Sequence, residues 1–187
     1  MLHKLKSYHA ACVVFVVMAL LASVAFAGGP RIVCGAQVGA YNPYIRHGDV
    51  DEFDAFTRAA VSVGAGLTLS NRAMLNLSFL TAAGKANIDN HQNIKFDVDE
   101  ALLDLHWLIL TGMIRPQFLV GGSYQMIHVD RVVEDEGAFG FNFGLGLDAT
   151  LIGDLSASFI VRYHYIYVKK FASSNATSAL LGLNYRF

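Results

Sequence analysis

The sequence lacks the long apolar runs of a helical membrane protein. One apolar stretch ends at Phe26, and no second one follows it. Hydrophobic residues nevertheless make up 54% of the chain, and its mean hydropathy is +0.41. A spanning helix needs about 20 consecutive apolar residues. The apolar residues instead alternate with glycine, serine, asparagine and charged residues, which is typical of strands that are apolar on one face.

An excess of basic charge is also missing. The chain has 14 lysine and arginine residues against 15 aspartate and glutamate residues. Nucleic-acid-binding domains carry a strong positive surplus, clustered on one face. We therefore predict no nucleic-acid partner.

The N-terminus predicts a secretory signal peptide. Lys4 and Lys6 form a positive region, residues 11–26 form an apolar core, and Ala25 and Ala27 give an A-x-A cleavage pattern. We predict a signal peptide over residues 1–27 and one domain over residues 28–187. The alternative is a single membrane anchor, which is disfavoured because the apolar stretch is shorter than a spanning helix.

Cysteine is nearly absent. Cys12 lies in the predicted signal peptide, so Cys34 stands alone in the mature domain and an intramolecular disulfide is excluded. The residues before Cys34 are Arg-Ile-Val, which lack the small residue expected before a lipidated cysteine. We interpret Cys34 as a small apolar residue on the outer face of the first strand.

Alternation with a period of two predicts an all-β fold. Val61 and Val63, for example, share one face of a strand, whereas Ser62 and Gly64 share the other. Small inward residues suit a narrow barrel, and we predict an eight-stranded antiparallel up-and-down transmembrane β-barrel. The predicted strands cover about residues 32–41, 56–69, 73–85, 96–109, 117–128, 138–150, 155–168 and 176–187.

The predicted connections alternate between short and long. Short turns are expected at 70–72, 110–116 and 151–154, and longer loops at 42–55, 86–95, 129–137 and 169–175. Bacterial barrels have short periplasmic turns and longer outer loops, so we expect both termini on the periplasmic side. The alternative is a soluble barrel such as a lipocalin, which would place its large apolar residues inside.

The last strand carries a family resemblance. Leu181, Leu183, Tyr185 and Phe187 alternate with Gly182 and other polar or small residues up to the final phenylalanine. This ending resembles the C-terminal signature of bacterial outer-membrane β-barrels, and the whole pattern is similar to the small barrels of the OmpA transmembrane domain, OmpX and OmpW. The resemblance implies insertion by the barrel-assembly machinery with Leu183, Tyr185 and Phe187 as the assembly signal, and contact with outer-membrane lipid and lipopolysaccharide.

Charged residues fall at inward positions of the predicted strands. Charges in a narrow lumen must pair, because isolated buried charges are costly. We interpret them as an ion-pair network that fills the barrel, and the alternative is a gated pore. The predicted network consists of Arg58, Glu100, Asp104, His106, Arg162 and His164.

An enzyme is a further alternative, since some outer-membrane barrels modify lipid A. A deacylase of this kind would need a nucleophile and its base within hydrogen-bond reach. The chain lacks the closely spaced His-x-Ser-Asn expected of that family, and strand one follows the cleavage site too closely for an N-terminal amphipathic helix. We predict no catalysis and no cofactor.

Acidic residues and histidines in the predicted loops raise the question of a metal site. Oxygen ligands of this type suit Ca²⁺ and Mg²⁺, but no EF-hand spacing occurs, and we predict no metal site. The residues considered are Asp49, Asp51, Glu52, Asp54, Asp130, Glu134, Asp135 and Glu136, with His47, His91 and His128 as zinc candidates.

The function predicted from sequence is therefore an integral outer-membrane barrel with a structural or surface-interaction role. A narrow channel for ions or small solutes is the first alternative, and a lipid A-modifying enzyme is the second. The sequence predicts no particular oligomeric state.

Overall fold

The alternating residues form antiparallel strands throughout. The computed structural model describes residues 31–46, 57–88, 91–129, 133–167 and 173–187. Within these ranges no helix is long and apolar enough to cross a membrane. The strands of the described residues are β1 (Ile32–Arg46), β2 (Arg58–Thr68), β3 (Ala73–Ile88), β4 (His91–Leu108), β5 (Ile114–Val129), β6 (Val133–Ile152), β7 (Leu155–Tyr167) and β8 (Ser173–Arg186).

Pairing of the first strand with the last closes the sheet into a barrel. Each strand pairs with its neighbours in sequence, and β1 pairs with β8 from Val33↔Arg186 to Arg46↔Ser173. Closure satisfies the backbone donors and acceptors that an open edge would leave unpaired, which matters most in a medium without water. The predicted eight-stranded antiparallel barrel is confirmed.

Strand register places the apolar faces side by side. Val63 of β2 lies opposite Ala36 of β1 and Phe79 of β3, while Ser62 lies opposite Gln37 and Leu80. Val63 is 43% exposed, whereas Ser62 is 4% exposed. The predicted inward and outward faces of β2 are therefore confirmed.

The two ends of the barrel differ. One end, called the turn end, carries the connections 69–72, 109–113 and 153–154, together with Arg31 and Phe187. The backbone N–H of Phe187 donates to the Ile32 carbonyl at 2.8 Å. The tightest turn follows β6, where Gly153 has φ +52°, a conformation that side-chain-bearing residues rarely adopt. The opposite end, called the loop end, carries the connections 47–57, 89–90, 130–132 and 168–172.

The strands extend further toward the loop end than predicted. β4 begins at His91 rather than residue 96, β6 begins at Val133 rather than residue 138, and β1 continues to Arg46. The predicted loops 86–95 and 129–137 are therefore largely strand. Backbone ladders pair whatever the side-chain polarity, so hydrophobic alternation marks the height of the apolar band and not the length of the strand.

Pro116 was predicted to lie in a turn, and this was wrong. It lies within β5 opposite Leu147 of β6, and its carbonyl accepts a hydrogen bond from the Ile109 N–H at 2.8 Å. Pro116 offers no N–H toward β4. The missing donor does no harm there, because the β4–β5 ladder begins one residue later, at Leu108↔Gln117.

Candidate functional site: the barrel lumen

All six residues predicted to fill the lumen are buried at inward positions. None is more than 9% exposed. The structure brings five of them into two groups and places the sixth, Arg58, opposite Tyr41 in the β1–β2 register. The alternation of each strand is sufficient to explain which side these residues occupy.

The first group surrounds Asp104 in β4. Arg162 Nη2 of β7 donates to Asp104 Oδ2 at 2.6 Å. His106 Nε2 lies 3.9 Å from the same oxygen, and His106 Nδ1 shares a 3.1 Å hydrogen bond with Gln117 Oε1. A buried carboxylate is thus held beside a guanidinium, the arrangement that lets both charges stay in a low-dielectric interior.

The second group surrounds Glu100, nearer the loop end. His164 Nδ1 lies 3.0 Å from Glu100 Oε1, and His164 Nε2 lies 2.9 Å from Ser178 Oγ. Tyr41 packs against the His164 ring at a centroid distance of 5.5 Å, and its hydroxyl accepts a 2.6 Å hydrogen bond from Gln125 Nε2. Sequence reasoning missed Ser178 because a period of two does not show which residues meet across a lumen.

Ser178, His164 and Glu100 have the connectivity of a nucleophile, a base and an orienting acid. Ser178 is 2% exposed, and His164 and Glu100 are fully buried. None of the three lines the large cavity at the other end of the lumen, where the turns lie. The three side chains are thus shielded from solvent and fill this part of the lumen as a hydrogen-bonded chain.

Part of the lumen filling is apolar, which differs from the predicted polar filling. Four inward leucines from separate strands are fully buried and are called the leucine layer. Their signal in the sequence is a local loss of alternation, since each is followed or preceded by another large apolar residue, as in Leu102-Leu103 and Leu180-Leu181. The leucine layer consists of Leu80, Leu102, Leu119 and Leu180.

A cavity of about 900 Å³ occupies the turn-end part of the lumen and is called the turn-end cavity. Turn residues such as Asn71 and Gly112 line its mouth, and Arg162 lines its wall. Its lining also contains Arg115 and Asp148, which form a 2.5 Å ion pair that sequence reasoning missed. The leucine layer does not line the turn-end cavity.

The outer face of the barrel is apolar around its circumference. Leu103 of β4, Val120 of β5, Leu145 of β6 and Leu183 of β8 are all exposed. A patch of this extent is not tolerated on a soluble monomer and marks a surface that contacts an apolar environment. Cys34 lies on this face opposite Ala65, half-buried and free, as predicted.

Aromatic residues form pairs at both ends of the apolar band. Toward the turn end, Tyr185 and Phe187 have ring centroids 4.9 Å apart. Nearer the loop end, three pairs join neighbouring strands, as expected for the aromatic girdles of a membrane barrel. These pairs are Tyr124–Phe139, Phe141–Tyr165 and Phe143–Tyr163.

The described part of the chain contains no group of three or more histidine, cysteine, aspartate or glutamate residues suited to a metal ion. His128, the last residue of the predicted fifth strand, lies in β5 with Nε2 4.0 Å from Asp99 Oδ2. Residues 1–30, with the predicted signal peptide, and the acidic residues between 49 and 54 lie outside the described residues.

A closed barrel with an apolar outside and a filled inside defines the class of integral membrane β-barrels. The sequence matches the family model described as "Outer membrane protein beta-barrel domain" over residues 10–187. The chain belongs to this family and is an integral barrel protein of the bacterial outer membrane. No curated protein matches the sequence.

Solved structures of the same fold have very different sequences. Neisserial surface protein A is 13% identical, with a TM-score of 0.68 over 83% of this chain and 97% of that one. Ail, the attachment invasion locus protein of Yersinia pestis, is 12% identical, with a TM-score of 0.57 over 85% and 99%. The N-terminal barrel domain of Pseudomonas aeruginosa OprF is 16% identical, with a TM-score of 0.54 over 82% and 97%.

Proposed function

We propose that this barrel has a structural or surface-interaction role, without catalysis and without a continuous pore. The observation that carries the proposal is the leucine layer, in which the inward residues Leu80, Leu102, Leu119 and Leu180 are fully buried. An eight-stranded barrel is only wide enough for its own side chains. We expect the buried leucines and the paired charges to leave no hydrated path from end to end.

The turn end would face the periplasm and the loop end the cell exterior. Bacterial barrels place short turns on the periplasmic side, and the turn end of this barrel carries the connections 69–72 and 153–154. Leu183, Tyr185 and Phe187 are exposed on the outer face, where the barrel-assembly machinery would read them. Outer-membrane lipid and lipopolysaccharide would surround the apolar band.

The first test is planar-bilayer conductance of the refolded protein, after gel migration has been shown to change on heating. We expect insertion without current steps, because the proposed lumen has no continuous pore. Discrete current steps from the unaltered protein would contradict the closed-lumen proposal. A barrel that neither inserts nor shifts on the gel would contradict membrane insertion itself.

A narrow channel is the second candidate, and the turn-end cavity favours it because the lumen is already open over part of its length. In that case the Asp104 and Glu100 groups would act as the gate. Glu100→Gln and Arg162→Gln would then change the frequency or size of the current steps. Asp154→Asn, at an exposed turn position, is the matched control and should leave them unchanged.

A further inference from the structure

The turn-end cavity is lined by more cationic than anionic side chains. Among the described residues, four arginines and His106 line it, and Asp148 is its lining carboxylate. Asp104 adds a second carboxylate through its pair with Arg162. The four arginines therefore face two carboxylates, and the arginines are Arg31, Arg115, Arg162 and Arg186.

Two of the arginines have no carboxylate of their own. Arg115 is paired with Asp148 and Arg162 with Asp104. Within the described residues, no carboxylate lies within ion-pair distance of Arg31 or Arg186. Arg186 interacts electrostatically with Arg115 and Arg31, which repel it, and with Asp148 and Asp154, which attract it. The three arginines at the mouth therefore outnumber these two carboxylates.

The hydrogen-bonding groups of the cluster are also in surplus. Each guanidinium has five N–H donors, and Asp148 accepts one bond from Arg115 in this structure. Nε of Arg115, Nε of Arg186 and Nε2 of His106 are buried without a hydrogen-bond partner, and so is one acceptor, Oδ1 of Asp148. Arg115 and His106 are both at least nine-tenths buried, so the barrel wall holds them in place beside the cavity.

We propose that the turn-end cavity is a binding site for a phosphate group, held by Arg31, Arg115 and Arg186. Guanidinium forks match the oxygens of phosphate in pairs of parallel hydrogen bonds. The volume of about 900 Å³ is that of a small-molecule site. The phosphate belongs either to a free solute or to a lipid headgroup, since the mouth lies at the end of the apolar band.

The test is calorimetric titration of the refolded barrel in a maltoside detergent, which contains no phosphate. The probes are inorganic phosphate and glycerol 3-phosphate. We expect saturable binding that Arg186→Gln weakens at least about tenfold, equivalent to about 1.4 kcal/mol. Arg31→Gln is the second variant, because Arg31 precedes β1 and is exposed, so that its replacement leaves the barrel wall intact. Arg72→Gln, an exposed arginine of the turn end outside the cavity lining, is the matched control.

Absence of saturable binding to the unaltered barrel would overturn the proposal. Equal weakening by Arg72→Gln would also overturn it, because it would show a general surface-charge effect. Repeating the titration in phosphatidylglycerol bilayers separates the two sources. If phosphate binding is lost in these bilayers, and neither probe restores it in Arg186→Gln, the lipid headgroup is the occupant. If phosphate binding is unchanged, the occupant is a free solute.

Discussion

Single glycines make room for the charged side chains of the lumen. A Cβ added at Gly121 would collide with Asp104 Oδ1 and with the Leu103 carbonyl of the neighbouring strand. The missing side chain therefore lets the Asp104 carboxylate reach Arg162. Gly122, one residue along on the outer face, has no atom closer than 3.8 Å to such a Cβ.

We expect Gly121→Ala to lower the free energy of unfolding by about 1–3 kcal/mol, because Asp104 or the backbone must shift. Urea unfolding of the barrel in lipid vesicles measures the effect. Gly122→Ala is the matched control, and its effect should be close to zero. Equal losses in the two variants would show that the Asp104 contact is not the cause.

Asp104 balances the guanidinium of Arg162, whose side chain is almost completely buried. We expect Asp104→Asn to cost about 3–5 kcal/mol of stability, because Arg162 is left as an uncompensated buried charge. Combining it with Arg162→Gln should recover part of the loss, which a double-mutant cycle measures. Strict additivity of the two losses would be inconsistent with the 2.6 Å ion pair.

Ser178 is expected to be unreactive despite its hydrogen bond to His164. A fluorophosphonate probe should not label the folded barrel, because the serine hydroxyl is shielded from solvent. Expression should likewise leave the mass of lipid A unchanged. Labelling that disappears in both Ser178→Ala and His164→Ala would instead demonstrate a working nucleophile and contradict the proposed absence of catalysis.

At the scale of the strand, neighbouring residues face opposite sides, one toward lipid and the next toward the lumen. Val63 lies in the middle of β2 on the outer face, and Ser62 points into the lumen. Because the side-chain period is two, a slip by one residue would exchange every such pair. The apolar band and the polar lumen groups therefore define the register together.

We expect Val63→Arg to destabilise the barrel by about 2–4 kcal/mol, the cost of an arginine at the bilayer midplane. Ile152→Arg, on an exposed residue at the turn end, should cost about 0–1 kcal/mol because it lies near the interface. Unfolding in vesicles compares the two. Similar values would mean that Val63 does not lie at mid-membrane depth.

At the scale of the whole molecule, closure of the sheet creates the lumen, and the proposal assigns the leucine layer the role of blocking it. We expect Leu102→Ser combined with Leu180→Ser to produce small current steps in planar bilayers, because polar side chains would hydrate the block. Leu103→Ser combined with Leu181→Ser changes the adjacent outward residues and should give none. Current from the outward pair alone would place the conducting path outside the lumen.

The sequence by itself determined the number of strands, the alternation of inward and outward positions along them and the inward position of the charges. These follow from a period of two, which is a local property of the backbone. The C-terminal pattern of Leu183, Tyr185 and Phe187 also indicated the correct family of barrels.

Only the tertiary structure decided which inward residues meet. Glu100 and His164 are separated by 64 positions, and Asp104 and Arg162 by 58. Their contacts depend on how the strands stagger when the sheet closes, and alternation carries no information about stagger. For the same reason, the turn-end cavity and the leucine layer became visible only once all eight strands were in place.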